Sequence, residues 1–565
     1  MFELSRDSSL AEQQVRAFAF ALVAFGYIDG ELDQSERDFI VGELAGLARQ
    51  RAQLAPPSAK QDGAAHWAAH HHALFEQYDT LVRGYFTESV SDGESHEAFV
   101  VNRLKLGCLE LLGRLETRLQ RAIVEAVEHL MHADGRVHPN EAAFLTEVSA
   151  LLRTEVELGD DDLEDDSAEE ADASEIRILP PSPAHPNGAL DHPVLQALEQ
   201  PFSSDPQRFA EQRDAEIARV TRVEELFRSL RSRGAGALAR AATTEQLPPG
   251  PRVLDGRVYV QRPLPSQRHE LLVLGDLHGC YSCLKGALLQ FDFFEKLKRH
   301  ELDPAHQPEV TLVLLGDYID RGTFSYAGTL RAALALLAEY PRNVVMLRGN
   351  HEHYLELGGR VVAPVRPCEA LESLSGMDAL PLLKAYRRLF EDLPTSFLFG
   401  KTLFTHGGIP RDATFESKWR GLKTLNDPEL AFEMLWSDPG DVEAVPRELQ
   451  KEVARFGFGR RQFARFMKTL GCSVMVRGHE RVTEGLRVTY SEPNATLLTL
   501  FSAGGERNRD LPPTSNYRAV TPMALKISHG DGVTEFAPFP IDYRPFNGAE
   551  RNRFFASEIA GVAQP

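Results

Sequence analysis

Two different periodicities divide this chain. In the first third, apolar residues recur at helical spacing, as over Val15–Phe25 and again over Ile123–Met131. Beyond residue 268 the pattern changes to short, continuous apolar runs. Five of them, Leu271–Leu274, Val310–Leu315, Val344–Leu347, Thr402–Thr405 and Val474–Val476, each lead into a glycine-containing polar cluster. Runs of that length with such endings read as buried strands. The pattern therefore predicts an all-α region followed by an α/β region, in a chain of 565 residues that is long enough for more than one core.

The helical region contains an internal repeat. Asp29-Gly30-Glu31-Leu32, with Glu36 and Phe39-Ile40 following, matches Asp134-Gly135-Arg136-Val137, with Glu141 and Phe144-Leu145 following. Each copy joins two helices, the later ones ending near Leu47 and Leu152. Gly30 and Gly135 suit positive φ, and Asp29 and Asp134 suit Asx-type turns. Ser35 and Asn140 are read as N-caps of the next helices, with Glu36 and Glu141 in the first turn. The turns resemble those of TerB-like tellurite-resistance domains. The resemblance implies a metal-binding option for Asp29, Glu36, Asp134 and Glu141, beside the plain option of turn and cap. His66, His70, His71 and His72, with Trp67 and Leu74 interleaved, read as an ordinary helix.

Glu155 to Glu175 is dense in Asp and Glu and holds no Lys or Arg, and Pro180-Pro181-Ser182-Pro183 follows. That composition predicts a solvated tether. The expected organisation is a helical domain at 1–154, an acidic Pro-rich linker at 155–190 and a helical connector at 191–250. An α/β domain at 251–545 and a peripheral tail at 546–565 complete it. A tethered helical domain should be removable with little effect on the α/β region.

The polar clusters after the strands carry the chemistry. They are Gly275-Asp276-Leu277-His278-Gly279, Gly316-Asp317-Tyr318-Ile319-Asp320-Arg321-Gly322, Gly349-Asn350-His351-Glu352, His406-Gly407-Gly408 and Gly478-His479. Asp, Asn and His suit hard or borderline divalent ions, and ligands on turns at strand ends can converge on one point. A shared carboxylate sets two cations about 3.5–4 Å apart, the geometry of in-line displacement.

These five segments in this order resemble the phosphoprotein phosphatase family, the metal-dependent Ser/Thr phosphatases of the metallophosphoesterase superfamily. Leu347-Arg348-Gly349-Asn350-His351-Glu352 is similar to its signature, and Leu435-Trp436-Ser437-Asp438-Pro439 and Leu500-Phe501-Ser502-Ala503 are similar to further segments. The resemblance spans about residues 268–505. It implies a β-sandwich flanked by helices and two divalent metals, manganese first, with iron or zinc as options. Asp317 would bridge them, Asp276 and His278 would complete one shell, and Asn350, His406 and His479 the other. Water activated between the metals would attack the phosphomonoester. Arg321 would grip phosphate oxygens together with Asn350 and a second arginine. His351 would be the general acid, held by Asp320.

The chain also departs from that family. The second arginine is assigned to Arg455, with Arg447 and Arg460 as alternatives. The tyrosine expected after Ser502-Ala503 is missing, because Gly504-Gly505-Glu506 follows, and Gly478 stands where alanine is usual. The leading substrate is phosphoserine or phosphothreonine in proteins. A diadenosine-tetraphosphate-type hydrolase and an inert module that binds phosphorylated partners stay open. The helical domain is read as a site for a protein partner.

A net charge of −20 argues against nonspecific binding of nucleic acid or of a membrane surface. Five scattered cysteines, among them Cys280 and Cys283, fit a reducing compartment. The start lacks a basic-then-apolar leader, and no run approaches a membrane span, so a cytoplasmic protein is expected.

Overall fold

The computed structural model describes residues 2–54, 63–88, 90–91, 94–132, 139–154, 175–182, 191–264 and 266–558. The turn at Asp134-Gly135, most of the acidic stretch and Pro186-Asn187-Gly188 lie outside the described residues. The chain divides into two compact units, Met1–Gly159 with Pro439–Arg461, and Asp160–Asp438 with Gln462–Pro565. Among the described residues no helix is long and apolar enough to cross a membrane.

The first unit is helical: Ser8–Gly26, Gln34–Leu54, Gly63–Tyr85, His96–Leu112, Thr117–Leu130 and Pro139–Leu151. Ser8–Gly26 is apolar on every side from Ala17 onward, and such a helix can only be central. Asp7 caps it by accepting from the Leu10 N–H at 2.9 Å. Phe18, Leu22 and Phe25 pack with Ile40, Leu44, Phe75, Phe99, Val127 and Phe144.

Gly30 has φ 101°, as its turn requires, and Asp29 Oδ1 accepts from the Glu31 N–H at 3.4 Å. The cap of the next helix differs from the expectation. Asp33, not Ser35, accepts from the Glu36 N–H at 2.8 Å, and Glu36 Oε2 accepts from the Asp33 N–H at 2.9 Å. This reciprocal capping box engages Glu36 without a metal. Asn140 falls inside the first turn of its helix, which starts at Pro139. His71 is buried, with Nδ1 on the Leu44 carbonyl at 3.1 Å, and His70 meets Glu12 at 3.0 Å. Both therefore have structural partners within the helical core.

Pro439–Arg461 comes from the middle of the α/β sequence, yet it packs among these helices. Val445 and Leu449 are buried with Leu106, against which Leu151 also packs. Asn102 Nδ2 donates to the Leu449 carbonyl at 3.0 Å, and Lys105 Nζ pairs with Glu452 at 3.0 Å and Glu147 at 2.6 Å. Glu94 accepts from the Ala454 N–H at 2.9 Å. A simple tether leaves this shared core unexplained.

The second unit holds two sheets. The first runs Glu175–Ile178, Val533–Pro540, Met523–Gly530, His269–Leu274, Glu309–Leu314, Val344–Met346. Its last three strands are parallel, and Met523–Gly530 pairs antiparallel with His269–Leu274. The second sheet runs Leu486–Glu492, Ala495–Leu500, Val474–Arg477, Thr402–Thr405, Ser396–Phe399, Val258–Gln261, Val253–Asp255. All five apolar runs are thus strands, three in one sheet and two in the other. Both sheets feed one core, with Leu271 and Val313 from the first and Phe397, Phe404 and Val476 from the second.

Three stretches differ from the sequence reading. Glu175–Ile178, expected in the linker, is an edge strand parallel to Val533–Pro540. The helix Pro206–Gly234, expected as a connector, buries Phe209, Val220, Val223 and Phe227 in the same core. In the tail, Phe554 and Phe555 are buried, and Phe554 stacks on Phe324 with centroids 4.5 Å apart. Hydrophobic area decided the helix and the tail, whereas the edge strand is largely exposed and held by its backbone pairing.

Candidate active site

Each of the five strands delivers its polar cluster directly after its last residues, and the clusters converge. The backbone is bent there at a cost. Among the described residues seven non-glycine residues have positive φ, and five of them are His278, Asp317, Asp320, Arg321 and His479. Strain of this kind concentrates where surrounding structure must aim a side chain.

Tautomers follow from the outer contacts. His278 Nδ1 donates to the Ile319 carbonyl at 2.9 Å, so its Nε2 is an acceptor. That Nε2 lies 3.7 Å from Asp276 Oδ2 and 3.5 Å from Asp317 Oδ2. His406 Nδ1 sits on the Leu315 carbonyl at 3.1 Å, and its Nε2 lies 3.4 Å from Asp317 Oδ2 and 2.9 Å from Asn350 Oδ1. His479 Nδ1 is 3.0 Å from the same Asn350 oxygen. At His278 a lone pair thus faces carboxylate oxygens, while His406 Nε2 holds a proton between itself, Asp317 and Asn350. Asp276 Oδ2 is buried without a hydrogen-bond partner among the described residues. Cations would satisfy such a donor set, so the residues fit a pair of divalent metals. Two compact groups, His278–Asp317–His351 and Asp317–His406–His479, meet at Asp317.

Charge is finely divided here. Burial disfavours both ions, but mutual attraction with His406 and His351 holds Asp317 well below the usual carboxylate range. His406, despite burial, is raised to about 9 by Asp317. Burial raises Asp276 to about 7, with His406 opposing. A cation would replace the proton on His406, so metal binding and proton release are coupled.

His351 donates from Nδ1 to Asp320 Oδ2 at 2.6 Å, and Asp320 Oδ1 accepts from the Ala370 N–H at 2.8 Å. Burial opposes the charge on His351, but Asp317 and Asp320 outweigh it and raise its pKa. Arg321 Nη1 lies 3.3 Å from Glu369 Oε1. Arg455 is placed in the first unit, where it pairs with Glu88 at 2.7 Å. Arg460 pairs there with Asp441.

Other residues take parts that the sequence reading had not given them. Glu352 lies inside the quoted motif and accepts the N–H groups of Asp317 at 2.8 Å, Tyr318 at 2.9 Å and Gly349 at 3.0 Å. It fastens two of the five loops together. Asp438, in the quoted Trp436-Ser437-Asp438 segment, forms a buried pair with Arg477 at 2.7 Å and lies 3.9 Å from His479 Nε2. Ser502 Oγ accepts from the Gly275 N–H at 2.9 Å. Tyr517 stands 5.4 Å from the His278 ring and 5.2 Å from Phe501. Burial pushes its phenol well up, so it stays a neutral donor. No local spacing announced Tyr517, which arrives from a later 3₁₀ turn at Asn516–Ala519.

Gly349 and Gly478 are among the glycines that close approach demands. A Cβ on Gly349 would stand 2.1 Å from Asp317 Oδ1 and 2.3 Å from its backbone nitrogen. The Gly349→Ala protein is expected to lose about 1–3 kcal/mol of stability, the usual overpacking cost, measured by urea denaturation. A Cβ on Gly478 would stand 2.3 Å from Asp276 Oδ1, so glycine there fits this chain's own packing.

Residues 269–482 match the family model of calcineurin-like phosphoesterases. Proteins similar to this chain include serine/threonine phosphatases. A probable serine/threonine-protein phosphatase of Encephalitozoon cuniculi is 28% identical over 273 residues, 48% of this chain and 53% of its own length. A serine/threonine-protein phosphatase of Caenorhabditis elegans is 30% identical over 240 residues, 41% of this chain and 46% of its own. The yeast serine/threonine-protein phosphatase PP1-1 is 27% identical over 41% of this chain and 68% of its own. The chain thus spans about half the length of the first two. A solved yeast serine/threonine phosphatase aligns with 58% of this chain and 90% of its own at TM-score 0.37 and 18% identity.

Proposed function

We propose that this protein is a metal-dependent protein phosphatase that hydrolyses phosphoserine and phosphothreonine. The observation that carries the reading is the meeting of two His/Asp groups at Asp317, beside the His351–Asp320 pair. Asp276, His278 and Asp317 would hold one divalent cation, and Asp317, Asn350, His406 and His479 the other. Manganese is the first choice, with iron or zinc as alternatives. Bound cations supply charge neutralisation and an acidified water as nucleophile.

The chain's own residues do the rest. Arg321 presents a planar fork to phosphate oxygens. The Asp320 contact fixes His351 Nδ1, which leaves Nε2 to give a proton to the departing serine or threonine oxygen. We rest the phosphate grip on Arg321 rather than on Arg455, whose guanidinium Glu88 engages. Buried free cysteines support a cytoplasmic, reducing setting. The helical unit is proposed as a TerB-like domain for a protein partner, supported by the Asp29-Gly30 turn. A partner of nucleic acid or membrane is not proposed, given the net charge.

The test is hydrolysis of a phosphothreonine peptide, an aryl phosphate and diadenosine tetraphosphate, with manganese added or chelated. Metal-dependent turnover of the peptide is expected, and turnover of the dinucleotide alone would overturn the reading. His351→Ala should lower kcat on the peptide by about 10²–10⁴-fold, the range for a general acid. In Asp320→Asn part of the support that raises the His351 pKa is removed, the Asp317 part remaining. The acid form is then lost at lower pH, so the basic limb of the kcat profile should move to lower pH. A limb that stays in place would argue against the Asp320 role.

A further inference from the structure

We infer that Glu369 is an internal competitor for Arg321, occupying the guanidinium that the substrate phosphate must take. This deepens the proposed function and rests on it for the role of Arg321. The segment that follows the catalytic loop is attached to the site at two adjacent residues, and the attachments differ in kind. Ala370 donates its backbone N–H to Asp320 Oδ1 at 2.8 Å, and both residues are almost fully buried. Glu369 reaches Arg321 Nη1 at 3.3 Å with a side chain that is 44% exposed. The first contact is backbone, buried and charge-assisted, and it is costly to break. The second is a long, water-facing carboxylate in a single-point ion pair, a kind that contributes about 0–1 kcal/mol.

The two contacts have different consequences. Ala370 fixes the segment against the acid pair whether or not substrate is present. Glu369 adds to the favourable field of Asp320 and Asp317 on Arg321, and it has solvent to retreat into. A phosphate dianion presents two oxygens to the guanidinium fork and so outcompetes a single carboxylate oxygen. The exchange sets the threshold for anion binding. Only an anion that engages Arg321 better than Glu369 does gains the site, which favours phosphate over the carboxylates of neighbouring acidic residues in a peptide.

The experiment is binding of inorganic phosphate to the manganese-loaded full chain, read by calorimetry and by the shift in Tm, with KM for aryl phosphate alongside. Glu369→Gln is expected to bind phosphate about two- to fivefold more tightly, the fold-change that an exposed pair of this strength converts to. KM should fall in the same direction. In the Arg321→Ala background the Glu369→Gln change should have no effect, because the competition has lost its object. Unchanged or weaker phosphate binding in Glu369→Gln would overturn the inference, as would an equal effect with Arg321 absent. Failure of the unsubstituted chain to bind phosphate at all would instead sink the proposed function, and this inference with it. Glu369 is half exposed, and the Tm of each variant without phosphate checks that folding is intact.

Discussion

The Asp317→Asn protein is expected to lose phosphatase activity by at least about 10²-fold, more than the 10–100-fold typical of residues behind a metal ligand. Its metal content should fall from two ions per chain, as counted by elemental analysis after gel filtration. The reason is position. Asp317 alone belongs to both His/Asp groups, and its Oδ1 also accepts the His351 N–H at 3.0 Å. An amide keeps the shape but supplies no charge to hold two cations. At neutral pH the metal-free variant should also unfold at a lower temperature than the metal-free parent, because it loses the attraction of His406 and His351 for Asp317. Asp276, Asp317 and Glu352 crowd together in a buried site, and Asp317 helps to raise Glu352 to about 7. The attraction of His406 and His351 outweighs that crowding at Asp317, whose pKa lies well below the usual range, so loss of its charge costs stability. Two full equivalents of metal in Asp317→Asn would refute the bridging assignment.

Deletion of residues 1–159 is expected to cost solubility and most of the activity, contrary to what a tethered module would show. Val445 and Leu449 are 0% and 1% exposed, and Leu106 supplies part of their cover. Exposing two such side chains forfeits on the order of 3–6 kcal/mol. The Leu449 carbonyl would also lose its Asn102 donor, and Glu452 its Lys105 partner. The segment so released begins directly after Asp438, whose carboxylate holds Arg477 and approaches His479. Loosening Pro439–Arg461 should therefore be felt at the site through the chain itself. The measurement is soluble yield and kcat on aryl phosphate for the truncated chain, with Asn102→Ala and Lys105→Ala in the full chain as milder versions. Full activity in the truncated protein would restore the tethered view.

The five strand-and-cluster segments were legible because each is local. An apolar run makes a strand, a glycine opens the turn, and the ligand follows within a few residues. The His351–Asp320 pair was legible for the same reason, since both lie in short motifs. The cap at Asp33 was missed by two residues because Asp33 and Ser35 are equally good caps, and only the backbone path chose between them.

By itself the sequence determined the succession of a helical region and an α/β region, the strands that carry the ligands, and the six residues Asp276, His278, Asp317, Asn350, His406 and His479 as the candidate metal set. Tertiary structure alone decided what distant segments do. It gave Pro439–Arg461 to the helical unit, and it brought Tyr517 beside His278. It placed Glu369 on Arg321 and buried the tail at Phe554. Periodicity and spacing report on neighbours along the chain. Burial of apolar area and the pairing of charges are settled between residues far apart in sequence, where no local pattern carries the information.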